Sequence, residues 1–179
     1  MRARDAVSSS GRGRSPSSTC ECTTVVAAKA TLVDTSIWVA VLRPGAAPRL
    51  RAVVSSLADA DLVWTSRIII AELIAGAKDQ KTAAALEHDF HGFRLCNDAV
   101  LLFRQAAFVR IGTRRRRPPQ PPCGLIDAYL AVLAAHQRLH VLTADRAMAG
   151  ACAFLKLRGS LYRPDEDFFE LFQHLRRRG

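Results

Sequence analysis

The stretch Ala30-Thr-Leu-Val-Asp34-Thr-Ser-Ile-Trp38 decides the fold. Its first four residues make a short apolar run suited to a buried strand. Asp34 ends that run, and a short helix is predicted over Ser36 to Leu42, stopped by Pro44-Gly45. Three further acids interrupt equally apolar sequence: Glu72 between Ile68-Ile-Ile-Ala and Leu73-Ile-Ala, Asp127 after Gly124-Leu-Ile, and Asp145 after His140-Val-Leu-Thr-Ala. None of the four has a Lys, Arg or His three or four positions away, so no simple helical ion pair neutralises them. An unpaired carboxylate in core-like surroundings is costly. The four are therefore expected to meet, and converging carboxylates are tolerable as ions around a cation. Oxygen-only acidic ligands favour Mg²⁺ or Mn²⁺ over zinc.

Outward from this strand, short apolar segments alternate with longer amphipathic ones. Strands are predicted over Ala30 to Asp34, Asp61 to Thr65, Phe93 to Cys96 and His140 to Ala144, with Leu155 to Leu157 as an edge strand. Helices are predicted over Pro48 to Ala58, Arg67 to Ala77 behind a Ser66 cap, Asp79 to Phe90, and Gly124 to Gln137. A further helix runs to Ile111, capped by Asn97 or Asp98. Alternation of this kind predicts an α/β sandwich with a parallel sheet, in which ligands gather at the carboxyl ends of the strands. Asp34 and Asp145 each stand directly after a strand. Asp127 lies in the first turn of a helix, and Glu72 lies inside one.

Each acid also has an ordinary explanation. Asp34 and Asp145 are good helix caps, and Asp127 complements a helix dipole. Glu72 is the hardest to dismiss, since it caps nothing and splits an apolar stretch. The four together favour a shared metal site.

At 179 residues, 49% of them hydrophobic, the chain has room for one core. Residues 1–29 read as a flexible basic Ser/Arg-rich tail without the apolar core of a secretory signal, residues 30–164 as the folded domain. Residues 165–179 read as an amphipathic helix, with Phe168, Leu171, Phe172 and Leu175 on one stripe that docks or dimerises. No apolar stretch reaches the length of a bilayer span, so a soluble, cytoplasmic protein with no membrane partner is expected. The formal net charge of +10 and the sequence pI of about 10.3 point to a polyanionic partner. Arg114, Arg115, Arg116 and Arg117, followed by prolines, form a loop just ahead of the helix of Asp127, where they are candidate RNA-phosphate contacts; the ordinary reading is a solvated charge run. Five cysteines without paired C-x-x-C spacing argue against zinc and against a disulfide framework; Cys96, Cys123 and Cys152 read as small buried thiols. His88 and His91 read as a solvated pair, and Trp38, Trp64 and Tyr129 fit packing better than base stacking.

The ordered series from Thr31 to about Pro164 resembles the PIN domain, and within it the VapC-type ribonuclease toxins of bacterial toxin–antitoxin pairs. The segments that carry the resemblance are Leu32-Val-Asp34-Thr-Ser36-Ile-Trp38, Ser66-Arg-Ile-Ile-Ile-Ala-Glu72-Leu-Ile-Ala-Gly76, Gly124-Leu-Ile-Asp127-Ala-Tyr-Leu-Ala-Val-Leu-Ala-Ala135 and Val141-Leu-Thr143-Ala-Asp145-Arg. The resemblance implies that Asp34, Glu72, Asp127 and Asp145 are metal-binding catalytic acids supported by Ser36 and Thr143. It also implies magnesium as cofactor, a homodimer, and a small antitoxin whose tail enters the active-site groove. The family often has a further acid and an aromatic shortly after the last aspartate, where this chain has Ala147 and Met148.

The expected activity is a Mg²⁺-dependent endoribonuclease, with Mn²⁺ as a substitute ion and RNA and an antitoxin as partners. The alternative is a non-catalytic, basic RNA- or partner-binding protein on a degenerate PIN fold. A haloacid-dehalogenase-type phosphatase also begins with an aspartate after an apolar strand, but it needs a second acid where this chain has Ser36.

Overall fold

The computed structural model describes residues 29–115 and 123–162. Five strands form one sheet: β1 (Thr31–Val33), β2 (Val63–Thr65), β3 (Arg94–Leu95), β4 (His140–Thr143) and β5 (Gly159–Leu161). Their order is β3-β2-β1-β4-β5 and every pairing is parallel. All carboxyl ends therefore share one edge of the sheet, and all amino ends the other. Among the described residues, seven helices accompany the sheet: α1 (Thr35–Leu42), α2 (Pro48–Asp59), α3 (Arg67–Ala75), α4 (Gln80–Phe90), α5 (Leu102–Arg114), α6 (Leu125–His136) and α7 (Arg146–Phe154).

Local chemistry sets most boundaries. Pro48 opens α2, where a missing N–H costs nothing. The Ser66 hydroxyl accepts from the Ile69 N–H at 3.2 Å, and the Asp79 carboxylate from that of Thr82 at 2.7 Å, which fixes the starts of α3 and α4. The central strands read as continuous apolar runs because both faces are covered: Leu32, Val33, Val63, Val141 and Leu142 are all buried. On α6, residues Ala128 to Ala134 are buried without interruption, as expected of a helix enclosed by neighbours. Trp38 lies in a cluster with Phe90 and Phe93 and donates its indole N–H to the Val33 carbonyl at 3.1 Å, and Tyr129 stacks on Phe103. Both aromatics are core, as their spacing indicates.

Two expectations are corrected. Leu155 to Leu157 is not a strand. The Leu157 N–H bonds back to the Cys152 carbonyl at 2.9 Å and Lys156 adopts a left-handed backbone (φ 56°), so these residues close α7. The edge strand is β5, where Gly159 lets the backbone run close to Cys152; a Cβ at 159 would lie 3.3 Å from the Cys152 Cβ. Asn97 and Asp98 do not cap α5, which begins at Leu102. Asp98 instead accepts from the Arg67 N–H at 3.2 Å and so serves the start of α3, thirty-one residues earlier. The tail before Lys29, including Cys20 and Cys22, the residues Arg116 and Arg117, and the stripe Phe168 to Leu175 lie outside the described residues. Among the described residues, no helix is long and apolar enough to cross a membrane.

Candidate active site

At the carboxyl edge of the sheet, Asp34 follows β1 and is 6% exposed. It occupies the N-cap position of α1 without capping it. Its Oδ2 instead accepts from two hydroxyls, Ser36 Oγ at 2.6 Å and Thr143 Oγ1 at 2.8 Å. Those hydroxyls are held in turn by the strand next door. Ser36 Oγ accepts from the Ala144 N–H at 2.9 Å, and Thr143 Oγ1 from the Asp145 N–H at 2.9 Å. One carboxylate oxygen is thus fixed by a network joining the β1–α1 and β4–α7 junctions. No ion pair engages Asp34 among the described residues.

The other three acids reach the same edge by different routes. Asp127 stands in the first turn of α6, where its Oδ2 accepts from the Gly124 N–H at 2.8 Å. Asp145 Oδ1 caps α7, accepting from the Ala147 N–H at 2.6 Å and, more weakly, from that of Met148 at 3.4 Å. Glu72, on α3, receives a short hydrogen bond through Oε2 from the hydroxyl of Thr35, the residue beside Asp34. Thr35 is a contact the sequence reading missed, because its partner lies thirty-seven residues away.

Convergence of the four shows in the electrostatics of Asp127. Burial pushes its carboxyl up, the Gly124 N–H opposes this, and the charges of Asp145, Asp34 and Glu72 push it further up. The charges of the other three acids thus all reach the Asp127 carboxyl. The supposition that all are buried needs correction: Asp34 is buried, Asp127 is partly so, and Glu72 and Asp145 are exposed on the rim. Glu72 splits an apolar sequence because α3 buries Ile69 and Leu73 on one face while Glu72 leaves on another.

An oxygen-only acidic cluster without a local cation has the donor chemistry of a Mg²⁺ or Mn²⁺ site. The spacing is looser than the chemistry. Among the described residues, no three His, Cys, Asp or Glu side chains are drawn together tightly enough to hold an ion. The mutually repelling carboxylates meet the charge requirement of a divalent cation, which would draw them together on binding.

The remaining candidates separate cleanly. Arg114 and Arg115 end α5 with exposed side chains. The hydroxyl of Thr113 meets the sulfur of Cys123 at 3.2 Å, so this helix end lies against the entry to the Asp127 helix. Cys96, Cys123 and Cys152 are free and buried; burial pushes the thiols of Cys96 and Cys152 up to about 12, with help from the charges of Asp98 and Asp34 respectively. None is poised as a nucleophile. His88 and His91 are exposed at the end of α4.

The PIN domain family model matches residues 31–153, from β1 into α7. The chain belongs to the PIN-domain family. PIN domains are generally nucleases, which supports a hydrolase. Among solved structures, this PIN domain resembles FitAcB from Neisseria gonorrhoeae at 22% identity and a TM-score of 0.52, over 72% of this chain and 95% of that one. It also resembles VapBC2 from Rickettsia felis bound to a DNA fragment from their promoter, at 14% identity and a TM-score of 0.57, over 74% of this chain and 98% of that one. The FitAB structure bound to an IR36 DNA fragment aligns at 20% identity, with a TM-score of 0.56, over 72% of this chain and 92% of that one. No match is found among curated proteins.

Proposed function

We propose that the protein is a Mg²⁺-dependent endoribonuclease, cytoplasmic, and the toxin of a toxin–antitoxin pair. The observation that carries this reading is the buried Asp34 carboxylate, held by the Ser36 and Thr143 hydroxyls with no ion pair among the described residues, at the carboxyl edge of a PIN fold. Asp34, Glu72, Asp127 and Asp145 would hold the cation, with Mn²⁺ as a substitute. Bound there, a divalent ion supplies a lowered water pKa and neutralises charge on the phosphate. The chain's own groups do the rest. Ser36 and Thr143 fix one oxygen of Asp34, and the other would be the one offered to the cation. Thr35 orients Glu72, and the Gly124 N–H orients Asp127. Glu72 or Asp127 accepts the proton of the attacking water. Arg114 and Arg115, at the end of α5, together with Arg116 and Arg117, screen the RNA backbone as it approaches the acids.

The antitoxin follows from the VapC resemblance of the motifs and is supported by likeness to the FitAcB and VapBC2 structures, while a homodimer follows from the resemblance of the motifs alone. The loose spacing of the acids favours a second reading, a non-catalytic RNA- or partner-binding protein on the same fold.

Incubating purified protein with a mixed tRNA, rRNA and mRNA pool, in Mg²⁺ or in EDTA and beside Asp34→Asn, separates the two. Discrete fragments that require both the metal and Asp34 are the expected result. Binding without cleavage in a folded, metal-saturated preparation would hand the site to the second reading.

A further inference from the structure

The amino edge of the sheet is the electrostatic opposite of the acid edge. Three turns meet there at adjacent strands. Thr31 of β1 lies in register with His140 of β4, and Val141 with Gly159 of β5. The His140 N–H donates to the Ala30 carbonyl at 2.9 Å, and the Val141 N–H to the Arg158 carbonyl at 3.2 Å. This juxtaposes Lys29 before β1, Arg138 and His140 at the α6–β4 turn, and Lys156 and Arg158 at the α7–β5 turn. Lys29, Arg138, Lys156 and Arg158 are exposed. No ion pair between described residues engages any of them.

Further observations set this cluster apart from a merely solvated face. His140 Nε2 is buried with no hydrogen-bond partner among the described residues. Its imidazole is pushed down first by burial and then by the charges of Lys29 and Arg158, so both of those charges reach the ring. Arg138 and Lys156 hold left-handed backbone (φ 57° and 56°), turn positions that favour Gly or Asn. A long base there is not what the turn itself prefers. The other half of the same edge differs: Asp61, ahead of β2, is bonded to Arg94 of β3 and neutralised, with Asp59 close by in sequence. Among the described residues at this edge, the bases beside β1, β4 and β5 have no acidic partner of that kind.

We infer that Lys29, Arg138, His140, Lys156 and Arg158 form a second RNA-backbone contact, on the opposite edge of the sheet from the acids, that engages folded RNA. This rests on the reading of the protein as an RNA enzyme. The two edges are separated by the sheet, roughly 13 Å for a four-residue strand. A short single strand lying among the acids has no need to reach the far edge. A folded RNA is bulky enough to touch both, and phosphate is the group that several exposed bases around a partly buried imidazole recognise without sequence preference.

The test compares binding of bulk tRNA and of a short single-stranded oligonucleotide, in EDTA so that nothing is cut, across a salt series. The triple variant Lys29→Gln, Arg138→Gln, Arg158→Gln should lose about tenfold in tRNA affinity. Its dependence of log affinity on log salt should become shallower by about two to three, one phosphate contact per lost base. Oligonucleotide affinity should stay within about twofold, and Arg138→Lys with Arg158→Lys, on a Lys29 background, should retain tRNA binding. A control that removes the same charge elsewhere, Lys78→Gln, Lys81→Gln and Arg104→Gln, should bind tRNA like the parent. Unchanged tRNA affinity in the triple variant, verified as folded by its unfolding temperature, overturns the inference; so does an equal loss in the control, or an equal loss for both probes. Cleavage is not the readout. Loss of this inference leaves the acid site intact, while failure of metal-dependent cleavage leaves the binding result standing.

Discussion

Asp34 and Asp61 flank neighbouring strands of one sheet, and their surroundings differ in every respect. Asp61 sits ahead of β2, with 64% of its side chain exposed, and its Oδ2 accepts from Arg94 Nε at 2.9 Å and again from the other end of the guanidinium. Those hydrogen bonds and the charge of Arg94 hold its carboxyl below the usual range. Asp34, after β1, is buried and met by two neutral hydroxyls, with no ion pair among the described residues. A protein of net charge +10 does not lack bases to place beside Asp34. The difference teaches where this chain uses charge to hold a turn and where it leaves charge available for something that binds.

The strongest way to break that comparison is to remove the hydroxyls from Asp34. Ser36→Ala with Thr143→Ala leaves a buried carboxylate oxygen without donors, which should cost about 2–4 kcal/mol of stability by chemical denaturation. Cleavage should fall about a hundredfold at temperatures where the fold persists. An unchanged denaturation midpoint would mean that the oxygen is solvated after all.

Protonation of His140 gives a second handle, at the amino edge. Its folded pKa lies below 6.5 because burial and then Lys29 and Arg158 disfavour the charged ring. Stability from this group is complete above pH 6.5 and is lost as pH falls through the folded value. The unfolding temperature of the parent should therefore drop more steeply between pH 7 and pH 5 than that of His140→Gln. Parallel curves for the two proteins would remove the field of the basic cluster from the account.

A smaller effect, of opposite sign, is expected at Asp127. A carboxyl whose folded pKa is raised lends stability below its unfolded value, lost as pH rises through the folded one. At pH 7 in EDTA, Asp127→Asn should raise the unfolding temperature, by on the order of 1–2 °C, since an amide oxygen still accepts from Gly124. Added Mg²⁺ should then stabilise the parent more than the variant. Smallest of all is Arg94→Gln. The pair it breaks is exposed and screened, so neither the unfolding temperature nor cleavage should move measurably.

The acid edge was legible because its signals are local. A strand ending at Asp34, a serine and an aspartate at the starts of α3 and α4, and an apolar run on α6 each declare themselves within a few residues. What was misread depends on partners far along the chain. Asp98 looked like the cap of the helix that follows it and serves the one before it in space. Leu155-Lys-Leu157 alternates like a strand, yet a left-handed Lys156 folds it under α7. Thr35 was overlooked between two more conspicuous neighbours, since only the approach of α3 gives its hydroxyl a carboxylate to meet. Exposure of Glu72 and Asp145 could not be deduced either, because an apolar neighbourhood in sequence says nothing about which side of a short helix a single residue leaves from.

The hydroxyl network around Asp34 also sets a schedule. Ser36 emerges from the ribosome more than a hundred residues before Thr143 and Ala144, with which it must bond, and β1 lacks its β4 neighbour until that part of the chain is made. Until then Asp34 and Glu72 belong to an incomplete sheet, and Asp127 and Asp145 are missing or unplaced. Whatever the site does, a nascent chain cannot begin to do it until Asp145 has left the ribosome and β4 has joined β1, so the acids are completed together.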